Sequence, residues 1–361
     1  MLFTRLGRLA VHRRRLVLFA SVVLLGLAGA LGTGTFDRLG SGGFDDPGAE
    51  STRAEELIEE RFGTGEPNLV LLVDVDEPGR DGAAVDRAEV AAAGQDLLDE
   101  LRRAPEVTEA LSYWSLGNVA PLRSADGDAA LVIARIGGSQ DQVMDVIDEL
   151  GPSLAGDRGP VTVSVGGEAE VFRQVQHTIE GDLARAESIA VPVTLVLLVF
   201  VFAGVVAALL PLAVGALAVL GAFLVLFVVT SFTDVSVFSI NLVTAMGLGL
   251  AIDYSLFVVS RFREELRAGL DVEAAVVRTV ETAGRTVAFS GLTVAVSLMA
   301  LLIFPMYFLR SFAYAGVGVV AVAVVASVLT LPALLAVLGH RVNALSFRSR
   351  EPKPVGEGFW H

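Results

Sequence analysis

IAVPVTLVLLVFVFAGVVAALLPLAVGALAVLGAFLVLFVVT, residues 189–230, carries no charged side chain, and its reading decides the fold. As one α-helix its 42 residues would reach about 63 Å at about 1.5 Å per residue, twice the hydrocarbon core of a bilayer. The stretch must turn, and Ala203-Gly204 is the expected place, leaving two spans. Outward from it the chain stays apolar to Ser260, broken only by Asp234 and Asp253, so Val235–Ser260 supplies a third span. Beyond a charged loop at 261–285, Val287–Phe304 and Ser311–Leu338 supply two more. Upstream, the uncharged run Leu16–Phe36 follows Arg5, Arg8 and His12-Arg13-Arg14-Arg15. A secretory leader shares that basic-then-apolar outline, but the exit Gly32-Thr-Gly-Thr has no Ala-x-Ala site and the spans downstream favour retention. The expected class is a polytopic α-helical membrane protein with six transmembrane helices. A chain of 361 residues with 53% apolar side chains and a mean hydropathy of +0.63 agrees with that class.

Charge placement orients the spans. Five arginines precede the first span, Arg261, Arg263, Arg267, Arg278 and Arg285 lie in the 261–285 loop, and His340, Arg341, Arg348, Arg350 and Lys353 follow the last. With six spans all three basic segments fall on one side, the cytoplasmic side, because basic juxtamembrane loops are retained there. Residues 37–187 hold 32 acidic residues against 12 arginines and fall on the other side. The expected organisation is therefore a basic cytoplasmic N-terminus (1–15), helix 1 (16–36), an extracytoplasmic domain (37–187), helices 2–6 (188–340) and a cytoplasmic tail or linker to a second half (341–361). Localisation is the cytoplasmic (inner) membrane with both termini cytoplasmic.

Within the outer domain, Asn68–Val75, Val107–Trp114, Ala129–Ile136 and Val161–Val165 read as strands, rich in branched and aromatic side chains. Ser51–Phe62, Ala83–Arg103 and Gln140–Leu150 read as helices. Leaving the first helix aside, the order β-α-β-β-α-β is that of a ferredoxin-like α+β domain lying between helices 1 and 2. Glu168–Glu187 reads as a helix that runs on into the second span.

Composition also excludes. Without cysteine there is no disulfide, thiolate metal site or Cys nucleophile. Lys353 is the only lysine, so no Walker A loop exists in this chain. A formal net charge of −14 argues against nucleic acid as a partner. His12, His177, His340 and His361 form no His-Glu-x-x-His motif, no cofactor is implied, and an enzymatic role is not expected. Gly316-Val-Gly318-Val-Val-Ala321 imitates a dinucleotide loop but lies inside a span, where close helix packing explains it better.

Asp253 lies in mid-span, in Gly247-Leu-Gly-Leu-Ala-Ile-Asp253-Tyr254. An ionised Asp there costs about 2.5–3.5 kcal/mol on insertion scales, so such a residue faces protein or water and marks function; the bland alternative is snorkelling toward Arg261. Asn241, Ala245, Gly249 and Asp253 recur every fourth residue and share a small, polar face that, with Gly247, suits close helix packing. On the next span Thr286, Ser290, Thr293 and Ser297 form a face of hydroxyls. Together the two faces could build a polar path; alternatively, each hydroxyl bonds its own helix backbone. Tyr254 points about 100° away from Asp253, and so is expected to serve a carboxylate on another helix. No other mid-span Asp, Glu or His exists to supply one, which points to a second copy of the chain or a second half. The segment from Arg261-Phe-Arg263-Glu264-Glu265 reads as an interfacial helix, with Phe262, Leu266 and Leu270 at helical spacing, or as a salt-bridged turn.

The stretch Gly247-Leu-Gly-Leu-Ala-Ile-Asp-Tyr-Ser-Leu-Phe-Val-Val-Ser-Arg-Phe-Arg-Glu-Glu265, followed by Thr282-Ala-Gly-Arg-Thr-Val-Ala-Phe-Ser290, resembles the MMPL family (mycobacterial membrane protein large) of the resistance–nodulation–division superfamily. One span, a large outer domain and five further spans resemble the first half of such a protein. The resemblance implies export driven by the proton-motive force, of lipid-like or hydrophobic substrates, with a proton relay made by Asp253, Tyr254 and Ser290 and an outer domain acting as porter. Asn241, Thr286, Thr293 and Ser297 would be the supporting polar path. The expected partners are protons, membrane lipids, the substrate, and the missing half or a second copy as a homo-oligomer. Two other roles fit the same sequence: a lipid-binding or envelope-complex scaffold without transport, and a proton-driven Sec-accessory-like translocation factor.

Overall fold

The computed structural model describes residues 2–76 and 83–345, so most of the expected tail or linker (341–361) lies outside the described residues. The chain forms two compact units. One comprises residues up to Leu39 and from Arg185 onward, and the other is Gly40–Ala184.

The chain begins with α1 (Leu2–His12) and α2 (Arg14–Leu31). The Gly40–Ala184 unit then contains α3 (Glu50–Phe62), β1 (Leu69–Val75), α4 (Ala88–Arg103), β2 (Val107–Ser112), β3 (Ala129–Ile136), α5 (Gln140–Leu154), β4 (Gly156–Asp157), β5 (Val161–Gly166) and the first half of α6 (Glu168–Phe202). All pairings are antiparallel, in the order β2-β3-β1-β5-β4. Period-two alternation makes the strands: Leu69, Leu71, Val73 and Val75 of β1 and Ala130, Val132, Ala134 and Ile136 of β3 turn inward. They meet Leu97, Leu98 and Leu101 of α4 and Met144, Ile147 and Leu154 of α5 in one core. Ser139 and Gln142 close a capping box that starts α5.

Three local expectations shift. Strand β2 stops at Ser112 instead of continuing to Trp114, because Ser112 and Ser115 exchange side chain–backbone hydrogen bonds of 2.8 and 3.1 Å that close a turn. The expected helix 83–103 is divided by the extended backbone at Arg87 (φ −62°, ψ 139°) into a 3-10 turn, Ala84–Asp86, and α4. The two-residue strand β4 is new. It pairs with β5 across a tight turn that contains Gly159 at φ 72°.

The other unit is helical. After α6 come α7 (Val205–Val229), α8 (Ser239–Arg267), α9 (Val272–Thr279), α10 (Arg285–Met299), α11 (Tyr307–Val325) and α12 (Leu331–Leu338). The long apolar stretch does turn at 203–204, where Ala203 takes a left-handed φ of 51°. Arg263 of α8 donates to the Phe202 carbonyl at 2.8 Å, satisfying one of the orphan acceptors at the end of α6. Five helical runs are long and apolar enough to cross a membrane: Arg14–Leu31, Val205–Val229, Ser239–Arg267, Val272–Ile303 and Tyr307–Asn343. The remaining expected span corresponds to a shorter apolar helix, Ser188–Phe202, at the end of α6.

The charged segment 261–285 is not an extended loop. Helix α8 continues to Arg267, and after the break at 268–271 Asp271 caps α9 by accepting from the Ala274 amide at 2.8 Å. Charge alone does not end a helix. Arg261 pairs with Glu264 and Glu265, Arg278 pairs with Glu281, and Phe262 is fully buried, so this segment keeps helical salt bridges and an apolar face. A π-helical turn, Val280–Gly284, joins α9 to α10, and another, Ala326–Thr330, joins α11 to α12. Small residues let these helices approach: a Cβ on Gly221 would stand 2.7 Å from Val322, and one on Gly318 would stand 3.0 Å from Val225. The glycine pattern of α11 is thus a packing surface, as its place within a span suggested.

Candidate functional site

Helix α8 presents two faces. Val243, Gly247, Ala251, Tyr254, Ser255, Val258 and Phe262 are buried in the bundle, whereas Ala245, Gly249, Asp253, Phe257 and Ser260 are exposed. Gly247 and Gly249 illustrate the division. A Cβ at Gly247 would meet Val219 of α7 at 2.6 Å and Val319 of α11 at 3.1 Å, but one at Gly249 would meet nothing within 4 Å. Asn241 is half-buried at the start of the same face. Among the described residues no helix covers Ala245, Gly249 and Asp253. The packing expected of this face is not made among the described residues, which leaves it open to another chain.

Tyr254 turns inward. It is 4% exposed, and its hydroxyl lies 3.6 Å from where a Cβ on Gly291 of α10 would sit. That hydroxyl is buried without a hydrogen-bond partner among the described residues. The expectation that Tyr254 reaches a carboxylate on another helix is therefore not the arrangement seen here. The phenol faces α10 of its own bundle, and Asp253 is the group offered outward. The absence of Cβ at Gly291 creates the space, since a side chain there would overlap Val324 of α11. The sequence signal that could have found this contact was the Ser290-Gly291 pair, one helical turn from Val287.

The hydroxyl face of α10 is exposed too, at Thr286, Ser290, Thr293 and Ser297. Thr286, Thr293 and Ser297 donate to the carbonyls four residues back, at 3.4, 3.0 and 3.0 Å. In this chain they satisfy their own backbone and do not bond across to α8. The two exposed faces flank an open groove of about 690 Å³ lined by Leu256, Phe257, Ser260 and Arg261 of α8 and by Thr282 and Thr286 on the other side. Arg261, held by Glu264 at 2.7 Å and Glu265 at 2.5 Å, stands at one end of it. The groove begins less than one turn beyond Asp253. The arrangement is a carboxylate on an unpartnered helix face, a buried phenol one residue on, and an open cleft with an ion-paired arginine.

Two features were not legible in the sequence. The π turns put an extra residue into the helices beside α8, and the buried hydroxyls of Ser255 and Ser327 lack partners among the described residues.

A membrane bundle with an α+β unit inserted after the first span defines a class. The fold is similar to that of a heavy metal efflux pump known from its crystal structure, with a TM-score of 0.51 and 15% identity over 81% of this chain and 40% of that one. The MMPL family profile matches residues 43–361, and the chain belongs to the MMPL family, within the resistance–nodulation–division superfamily. It is 40% identical over 356 residues to a putative membrane protein of Streptomyces coelicolor, covering 97% of this chain and 49% of that protein. It is 35% identical to the trehalose monomycolate exporter MmpL3 of Mycobacterium tuberculosis, covering 96% of this chain and 37% of that one. To the heme uptake protein MmpL11 of the same species it is 31% identical, covering 89% and 33%. The chain thus spans a half or less of the length of these relatives. It is a multi-pass membrane protein.

Proposed function

We propose that this chain provides the bundle and outer domain of a proton-driven exporter of lipid-like or hydrophobic substrates, with Asp253 as the group that takes up and releases the proton. The observation that carries this reading is the exposure of Asp253 on a face of small residues beside the buried Tyr254. An ionised carboxylate at that depth facing lipid costs about 2.5–3.5 kcal/mol, so the face is built to be covered. A second half, or a second copy, closing on Ala245, Gly249 and the hydroxyl face of α10 would cover Asp253 and shield it from lipid. Tyr254 and Ser290 then form the inner wall of the relay, and Thr286, Thr293, Ser297 and Asn241 line its polar margin. Proton exchange at Asp253 would alter how α8 packs on its partner, which is the mechanical step.

The substrate class draws on the relatives. One is named for exporting trehalose monomycolate and another for heme uptake, both amphipathic cargo, and export is the direction we adopt. In the same reading Ser188–Phe202 is the second of six spans, both ends of the described chain are cytoplasmic, and Gly40–Ala184 is a ferredoxin-like porter domain extended by α3 and β4. A scaffold without transport would leave Asp253 with no task.

The test is proton-coupled transport in liposomes, with the chain reconstituted together with whatever closes its open face. Asp253→Asn should abolish substrate-dependent proton flux while expression and the oligomeric state stay unchanged. Full flux in that variant would overturn the proposal.

A further inference from the structure

We infer that α1 is an anchor for anionic phospholipid headgroups. The helix is set off from α2 by Arg13, which leaves helical geometry at φ −110° and ψ 24°. Its inner face is already satisfied by protein. Gly7, Ala10 and Val11 are buried, Phe3 and Leu6 pack against the bundle core, and Gly7 lies so close to α9 that a Cβ would stand 3.0 Å from the Val277 Cα. A helix on a protein surface needs one such apolar stripe. This one carries a second, in Leu2 and Leu9 (65% and 44% exposed), and Leu16, beyond the break at the start of α2, is 58% exposed.

By helical periodicity that stripe lies between the buried face and a cationic one. Arg5, Arg8, His12, Arg13 and Arg15 are exposed, and the sequence holds no acidic residue before Asp37. Among the described residues the guanidinium groups of Arg5, Arg8, Arg13 and Arg15 make no ion pair or hydrogen bond, whereas Arg14 donates to the Ala336 carbonyl at 3.4 Å. Charge without counter-charge beside exposed leucines is the pattern of a helix lying in a membrane interface, apolar stripe among acyl chains and arginines snorkelling to phosphate. The stripe also continues into Phe19 and Val22 of α2, which are exposed on a membrane-spanning helix. That continuity selects the bilayer over a second protein as the occupant. The uncompensated charge selects anionic over zwitterionic lipid, because each arginine near an anionic surface is worth about fivefold in binding.

The experiment uses the full chain in nanodiscs of phosphatidylcholine with a minor share of phosphatidylglycerol, with the retained lipid read by native mass spectrometry. The wild-type chain should retain phosphatidylglycerol above its bulk share, and added salt should reduce the excess. Arg5→Gln, Arg8→Gln, Arg13→Gln and Arg15→Gln should each weaken that preference about fivefold, and the fourfold variant should return it to the bulk ratio. A second variant, Leu2→Gln, Leu9→Gln and Leu16→Gln, keeps the charges and should raise amide exchange across residues 2–12 in lipid. Both variants alter exposed side chains only, and unchanged circular dichroism identifies a folded chain. Retention of phosphatidylglycerol that survives the fourfold variant, or protection of α1 that requires a second protein chain, would overturn the inference.

Discussion

Asp253 and Tyr254 are neighbours in sequence and occupy opposite environments, one open to whatever closes on α8 and one sealed in the bundle. A helix turns about 100° per residue, so adjacent groups can belong to different surfaces. In the α+β unit another residue is equally dependent on its surroundings. Glu170 is 4% exposed and accepts from Arg173 Nε at 2.7 Å and from Gln174 at 2.7 Å. The Arg173 guanidinium, with help from Gln174 and against the cost of burial, holds the Glu170 carboxyl below its usual range. Its stabilisation is complete above the ordinary glutamate pKa and is lost as pH falls through the lowered one. Glu170→Ala should destabilise the α+β unit by about 2 kcal/mol, somewhat less than a fully buried pair because Arg173 stays partly exposed; denaturant-dependent amide exchange of residues 40–184 measures it. Glu168 has the opposite sign. Burial first, then Asp45, Glu55 and Glu66, raises its pKa, so it costs stability as pH rises from the unfolded value through the raised one. Glu168→Gln should stabilise the same unit at neutral pH by a few tenths of a kcal/mol, with the gain vanishing in acid.

At the scale of elements, the glycines of α8 separate folding from association. Gly247→Val should cost about 1–3 kcal/mol by overpacking against Val219 and Val319, and would appear as a lower thermal midpoint of the detergent-solubilised chain. A Cβ at Gly249 meets nothing within 4 Å among the described residues, so Gly249→Leu should leave that midpoint unchanged. If the exposed face receives a partner helix, the same variant should abolish assembly and transport together. The charged segment 261–285 is helical on either side of the break at 268–271. Its salt bridges at helical spacing keep a highly charged segment helical, so α8 runs unbroken from Ser239 to Arg267.

For the whole molecule, the open faces of α8 and α10 are the surfaces on which the proposed partner would seat. The chain has no cysteine, so Gly249→Cys introduces a single reactive group. In nanodiscs we expect that residue to cross-link the chain to the proposed partner, a second copy or a second half. A stable assembly with no cross-link at Gly249 would place the interface elsewhere. Arginine placement sets the membrane orientation we propose, and accessibility of an engineered cysteine in the outer unit to an impermeant reagent checks it.

Hydrophobicity and periodicity are local properties, and what rests on them was readable from the residues in order. The turn at Ala203-Gly204, strand β3 over Ala129–Ile136, the start of α5 at Gln140 and the small-residue face through Gly249 and Asp253 all follow from patterns a few residues long. The ends of Ala83–Arg103 and Val107–Trp114 differ from the pattern because Arg87 and the Ser112–Ser115 exchange stop an element without changing its composition. The inward turn of Tyr254 depends on Gly291 and Val324, thirty-seven and seventy residues away, and no spacing in the sequence brings them together. The π turns and the pairing of β4 with β5 arise the same way, from packing between segments. The amino-acid order thus determined which residues could carry a proton or face lipid. Tertiary contact decided which of them are sealed and which are left open, because burial is a property of neighbours that the chain meets only once folded.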